Sequence, residues 1–544
     1  MNPLLHGLAA NPALAPDLLD RLLALALSPA HTEDTKHAEE DDRTWLCSTL
    51  ADREDLGRDR VLALAAHDEA VAVSLAYRGL LDPADVDPAA RPGAAVALLE
   101  EGRGLPRWPG LLVAHPDPFH RERLACCPGL PPEIAARLAG DARLEVVTHL
   151  AGYGALDPAT AALLAAHPHA EVRRACAGNP STPPPLLGAL LTGEGLPPAD
   201  LCAVCDTEPE LRWHNRYVPP DGVCEGSHRS AVHTTRWAAL DNPATPAEAV
   251  VRFARDPASP LRRVAAARVD LPQAVYAELA ADPDPRVRIA LAGNPGVGEA
   301  LLGAFAADAD PEVHAALAHQ PRLPLPLLAA LAPALRTPAE PLPRIAAASE
   351  AEVRELAAST EPGVRVLVAQ RRDLPVGVRE APAADPDVKV VKTVASHPGL
   401  GEDLLRDLVA RHGVPVLALA AANPDVTPAL LEDLALWDPP VRGVLRTVAT
   451  HPRATARALI ACLGDAKARR RAVAHPSFPA EELPGLLRHP DWQVAEAAAS
   501  HPALPPSLMR ELLGELMHES MHESTGELLG ERPAAPMDDP PTGG

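Results

Sequence analysis

The residues best suited to chemistry in this 544-residue chain lie in one short stretch, Leu196–His228, reading LPPADLCAVCDTEPELRWHNRYVPPDGVCEGSH. It holds three of the eight cysteines, Cys202, Cys205 and Cys224. Cys202-x2-Cys205 is followed after eighteen residues by Cys224-x3-His228, with His214 and His233 as further imidazoles. Two close pairs of soft ligands joined by a loop suit a tetrahedral zinc ion, because a Cys-x-x-Cys turn aims both sulfurs at one point. A turn at Gly226 would bring His228 beside Cys224. The expected metal ligands are therefore Cys202, Cys205, Cys224 and His228, with His214 or Cys176 as the alternative fourth ligand. The competing readings are free thiols in a polar loop, or a redox pair at Cys202/Cys205. The second lacks the βαβ pattern of a thioredoxin-like fold.

Other motifs carry less. His518-Glu519-Ser520-Met521-His522 matches H-E-x-x-H, which on a helix places two imidazoles on one face. It sits in a tandem MHES duplication with no third ligand in position. No phosphate-cradling glycine loop, Walker motif or G-x-S-x-G elbow occurs in the sequence.

The elements that must position the cysteines come from a repeat. The phrase A-x-[N/H]-P, a spacer, then L-L recurs, as in AGNPSTPPPLL (Ala177–Leu187) and ANPDVTPALL (Ala422–Leu431). Anchor prolines lie 26 apart at Pro295 and Pro321, Pro398 and Pro424, and Pro476 and Pro502. About a dozen residues upstream stands D-P-x-x-x-V-R-x-A-x-A, as in DPDPRVRIALAGNP (Asp282–Pro295). Each unit thus predicts two helices. The first begins after Thr182-Pro183, Thr245-Pro246 or Thr427-Pro428, where Thr caps and Pro suits the first turn. It carries its leucines at helical spacing and stops at the Asp-Pro corner, since the residue before proline is disfavoured in the helical region. The second, Val-Arg-x-Ala-x-Ala, is short and small-faced, with 3₁₀ character an option. No unit can bury its face alone, so the expected fold is all-α: an α-solenoid of stacked 26-residue, two-helix repeats.

Two features repeat with the helices. Arg173, Arg262, Arg288, Arg354, Arg365 and Arg442 are expected to pair with an Asp of an Asp-Pro corner, rather than to form a ligand ladder. The anchor slot takes His (His115, His397, His451, His475, His501) or Asn (Asn179, Asn242, Asn294, Asn423). A slot that accepts either asks for a side-chain hydrogen bond to backbone, not a metal. Cys126, Cys176 and Cys462 occupy alanine-type positions and read as small core residues.

These units resemble the leucine-rich repeat variant (LRV) family, whose 26-residue repeat reads D-P-x-x-x-V-R-x-A-V-A-x-N-P-x-x-P-x-x-L-L-x-x-L. The resemblance covers most of residues 1–515 and implies a HEAT-like helical solenoid with no settled activity. One member of that family carries an iron–sulfur module beside its repeats, so the resemblance adds a 4Fe–4S cluster as the alternative to zinc. That module uses cysteines and lies outside the repeats, unlike the arrangement here.

Departures from the register set the domain expectations. Pro29–Arg43, polar and acidic, reads as a loop inserted between early repeats. Pro180 to Pro243 spans 63, two periods plus eleven, and the excess falls on the cysteine segment. The divisions expected are 1–197 repeats, 198–229 insertion, 230–515 repeats and 516–544 a disordered tail.

Composition narrows the function. Only 3% of residues are aromatic, so the interior must be alanine, leucine and valine. The net charge is −23, with just four lysines, Lys36, Lys389, Lys392 and Lys467. That disfavours nucleic acid and anionic membranes, which need a basic surface. The N-terminus lacks a basic leader and no apolar run is long enough to span a bilayer, so the expected location is cytoplasmic. The leading expectation is a non-enzymatic scaffold for a protein or peptide partner, a basic one given the acidic Asp-Pro corners. The alternatives are an iron–sulfur redox or sensor protein and a helical-repeat DNA glycosylase.

Overall fold

The computed structural model describes residues 2–28, 36–202, 205, 228–338 and 340–526; the side chains of residues 36–42, 229, 376 and 519–526 fall outside that description. Among the described residues the chain is all helical, with one isolated backbone bridge, His169 to Leu201, in place of any sheet. It is an α-solenoid of short helix pairs. Among the described residues no helix is long and apolar enough to cross a membrane. The chain divides into two compact units, one of Met1–Val71 with Val426–Gly544 and one of Ala72–Asp425.

Within a repeat the Leu-Leu helix and the Val-Arg helix are both α, as in Pro428–Ala435 and Pro285–Ala292. The 3₁₀ turns among the described residues do not lie in the Val-Arg helices: Arg252–Arg255 and Ala332–Ala334 close Leu-Leu helices, Ala480–Glu482 opens one, and Pro83–Asp85 stands alone between two α-helices. Thr427 caps as expected, accepting from the Leu430 amide at 3.2 Å. Thr182 does not. Its hydroxyl donates backwards to the Cys176 carbonyl at 2.6 Å, and Thr245 likewise to Ala239 at 2.5 Å. A Pro that follows Thr then serves as the cap residue, and the threonine instead donates to a carbonyl near the C-terminus of the preceding helix. The acidic stretch expected as a loop over 29–43 is helical from its Lys36 onward, in the helix Lys36–Ala51. Its Ala, Glu, Lys and Arg are strong helix formers, a propensity that the lack of apolar periodicity concealed.

The core is built as composition requires. Leucine, valine and alanine fill it, with Trp108, Tyr276 and Phe305 the only aromatics among its largest fully buried side chains. Cys176 and Cys462 are fully buried, and burial pushes their thiols up to about 11 and about 12. Cys126, on the same kind of position, is half-buried.

Two polar ladders fix the stacking. In the first, anchor residues such as Asn294 and His501 donate to the corner of the preceding repeat, whereas His115 Nδ1 accepts from the Asp117 amide of its own corner at 3.2 Å. Asn294 Nδ2 bonds the Ala266 and Arg268 carbonyls at 2.7 and 2.6 Å, while its Oδ1 accepts from the Gly296 amide at 2.8 Å. Histidine reproduces this: His501 Nε2 meets the His475 carbonyl at 3.0 Å and its Nδ1 accepts from Ala503 at 3.1 Å. The slot's indifference to Asn or His is thereby explained, since both offer a donor and an acceptor at opposite edges. In the second ladder an arginine grips an aspartate twenty residues on: Arg262 with Asp282, Arg288 with Asp308 and Arg365 with Asp385, each through two bonds of 2.6–3.1 Å. The Arg288 guanidinium holds the Asp308 carboxyl below the usual range. Arg121 and Asp141 form a further rung that the sequence reading omitted. Three expected rungs differ. Arg354 pairs within its own helix with Glu350, Arg446 rather than Arg442 bonds Asp465, and Arg173 bonds backbone.

Candidate metal centre

The insertion leaves the Pro184–Thr192 helix through two left-handed glycines, Gly193 and Gly195, and returns along the corner of the preceding repeat. There the Ala170 amide donates to the Leu201 carbonyl at 2.9 Å, and Asp200 donates to the Pro168 carbonyl at 2.8 Å. Arg173 clamps the entering strand by donating to the Pro197 and Pro198 carbonyls at 2.6 and 3.2 Å, and to His167 of its own corner at 2.5 Å. Its burial lowers its pKa. Where the other ladder arginines have an Asp twenty residues on, Arg173 has Gly193. That missing partner was the one sequence signal for its different role.

This docking places Cys202 at 3% exposure, packed on Ala170 and Ala231. Cys205 turns back on it: the Cys205 amide donates to the Cys202 carbonyl at 3.1 Å, and the Cys202 amide points at Cys205 Sγ at 3.1 Å. The two sulfurs stand 3.7 Å apart, and His228 Nδ1 lies 3.7 Å from Cys205 Sγ. All three ligand atoms fall within 4.8 Å of one another. For ligands at ~2.3 Å from a tetrahedral ion, the sulfur–sulfur edge is about 3.8 Å, so the spacing is that of two thiolates on one metal. His228 takes a left-handed backbone, φ 47°, just before the Arg229–Asp241 helix.

Of the four expected ligands, Cys202, Cys205 and His228 are thus brought together, while Cys224 lies outside the described residues, as does the alternative His214. Cys176 stands apart from the group: its thiol lies 3.6 Å from the Thr182 hydroxyl and 3.8 Å from the Ala161 carbonyl, in the repeat core. The H-E-x-x-H segment is helical in backbone, within Pro506–Gly526, and the side chains from Glu519 on are outside the description.

No protein-family model and no curated protein matches the chain. Among solved structures, an engineered protein solved by a structural-genomics consortium is similar over 92% of this chain and 98% of its own, at 16% identity and a TM-score of 0.13. A structure of the Pds5–Scc1 complex, with implications for cohesin function, is similar over 92% of this chain and 81% of its own, at 12% identity and a TM-score of 0.16. At those scores neither likeness bears on fold or function, and the architecture rests on the repeat itself.

Proposed function

We propose that this chain is a non-enzymatic scaffold of LRV-type helical repeats for protein–protein interaction, carrying a structural zinc knuckle in its mid-chain insertion. The observation that supports the knuckle most directly is the convergence of Cys202, Cys205 and His228 at the spacing of one tetrahedral ion. Cys224 is the fourth ligand in this reading. A zinc ion there would tie Cys202 and Cys205 to His228 at the start of the next helix, and its binding free energy would add to the stability of the fold. In a four-iron cluster each cysteine binds a different iron, so its thiolates stand further apart than two on one ion; the 3.7 Å pair favours zinc. The scaffold reading is supported by the ladders, which commit the repeated polar side chains to holding the stack.

The test is metal content with an absorbance spectrum on anaerobically purified protein, beside a Cys202→Ser/Cys205→Ser double variant. The expected result is about one zinc per chain, lost in the variant, with the helical signal of the repeats retained. Iron with sulfide and visible absorbance would replace this reading with the redox one, and a metal-free wild type would remove the knuckle.

A further inference from the structure

A cavity of about 1010 Å³ opens across four helices of the Ala72–Asp425 unit, each from a neighbouring repeat: Pro118–Ala125, Leu144–Tyr153, Ala170–Gly178 and Arg229–Asp241. It is at the upper end of the roughly 300–1,000 Å³ typical of ligand sites, so it has room for a short peptide segment rather than an ion. The space exists because Gly152, Ala175 and Gly178 stand where larger side chains would fill it. A Cβ built on Gly178 meets nothing within 4 Å.

The walls are of two kinds. Phe119, Tyr153 and Trp237 present exposed aromatic surface, which the aromatic-poor sequence otherwise spends sparingly. Among them stand five carboxylates, Asp117, Glu122, Glu145, Glu171 and Asp241, against two guanidiniums, Arg143 and Arg174. Arg174 is engaged with Glu171 at 2.8 Å and Arg143 with Glu145 at 3.3 Å. The balance is negative. Asp241 adds to it from the last turn of its helix, where the helix dipole disfavours an anion. The Glu145 side chain is only 15% exposed, and neither of its oxygens accepts a hydrogen bond from the protein; the buried Thr148 hydroxyl beside it has no protein partner either. With the Arg143 guanidinium beside it, Glu145 adds its charge to the wall, and the acceptors a ligand reaches are those of Asp117, Glu122 and Asp241.

We infer that this cavity captures an arginine side chain of a basic, extended peptide segment in a protein partner. This deepens the scaffold reading and rests on it. A guanidinium satisfies both walls: its fork of donors suits carboxylates, and its flat face stacks on aromatic rings, which an ammonium does less well. His149, stacked on Tyr153 and 3.8 Å from Glu122, lines the same cavity.

The test uses the full chain and a fluorescein-labelled Gly-Arg-Gly-Arg-Gly-Gly peptide, read by anisotropy, against the same peptide with citrulline in place of arginine. Three variants accompany it: Glu122→Gln/Glu145→Gln, which removes two negative charges from the wall; Gly178→Trp, which plugs the cavity and keeps every charge; and Glu481→Gln/Glu482→Gln, which removes as much charge from exposed positions elsewhere. Expected are at least tenfold weaker binding by the citrulline peptide and by both cavity variants, and wild-type binding by the control pair. Equal binding by the citrulline peptide, an equal loss in the control pair, or full binding by Gly178→Trp would each overturn the inference. So would no binding by the wild type, and the scaffold reading would then still stand or fall separately, on whether cross-linking recovers a partner bound elsewhere on the repeats.

Discussion

Asn294 shows what one residue does for the stack. Its amide closes the Ala266 carbonyl and shares the Arg268 carbonyl with the Tyr276 hydroxyl, while its Oδ1 closes the Gly296 amide. Removing it while the carbonyls stay buried costs more than the bonds contribute net, about 1–3 kcal/mol for each orphaned group. Asn294→Ala should therefore lower the stability of the Ala72–Asp425 unit by about 2–4 kcal/mol in urea unfolding. Asn294→His should cost far less, because His501 holds the same slot through Nε2 and Nδ1. Equal losses in the two variants would mean that the slot measures volume and not hydrogen bonding. Gln320 makes the same point within the chain, giving its amide to the Ala292 and Asn294 carbonyls at 2.8 and 2.6 Å. The slot's chemistry was legible in the sequence from its alternation of Asn and His. Its reach to the preceding repeat was not, because spacing along a chain does not say which neighbour a side chain faces.

At the scale of elements, the Ala170–Gly178 helix is the hinge between repeat and insertion. Its period and its Val172-Arg173 pair follow the consensus, so the sequence marks it as an ordinary rung. The structure turns that arginine to the carbonyls of Pro197 and Pro198, because the aspartate it would otherwise grip is absent. Arg173 is thus a positioning residue for Cys202 and Cys205, and outer-shell groups of this kind typically change metal affinity by 10–100-fold. Arg173→Ala should leave the helical content intact and raise zinc loss to a competing chelator by about tenfold or more, while Arg173→Lys restores part of the retention. A merely structural arginine would instead lower the melting temperature and leave chelator competition unchanged. The knuckle was legible from Cys-x-x-Cys and the broken register. The cavity was not: Phe119, Tyr153 and Trp237 belong to different repeats, and only stacking brings them to one wall.

At the scale of the whole molecule, the unit formed by Met1–Val71 and Val426–Gly544 joins both ends of the chain in one stack. Its anchor ladder runs from His475 on the His451 carbonyl to His501 on the His475 carbonyl. It then passes to Asn11, whose amide bonds the Ala499 and His501 carbonyls at 2.9 Å each. Arg53 takes the next rung, on the Ala9 and Asn11 carbonyls at 2.6 and 2.8 Å. The first repeat thus occupies the place that follows the last one, a pairing that identical Asn-Pro and His-Pro anchors cannot specify from sequence. The contact depends on Gly7, where the Pro3–Ala10 helix crosses Trp492–Ala499: a Cβ there would stand 2.5 Å from the Glu496 carbonyl oxygen and 2.6 Å from Ala499 Cβ. Alanine is the better helix former by about 1 kcal/mol, so helix propensity alone would make Gly7→Ala stabilising. Forcing two backbones apart costs about 1–3 kcal/mol, and the two Asn11 bonds open with them, so the net effect should be destabilising. Amide hydrogen exchange locates it: Gly7→Ala should speed exchange in Pro3–Ala10 and also in Trp492–Ala499, nearly five hundred residues away in sequence, while Pro285–Ala292 in the other unit keeps its protection. If exchange rose only between residues 3 and 26, the two ends of the chain would be folding independently, and the shared ladder would be contact without coupling.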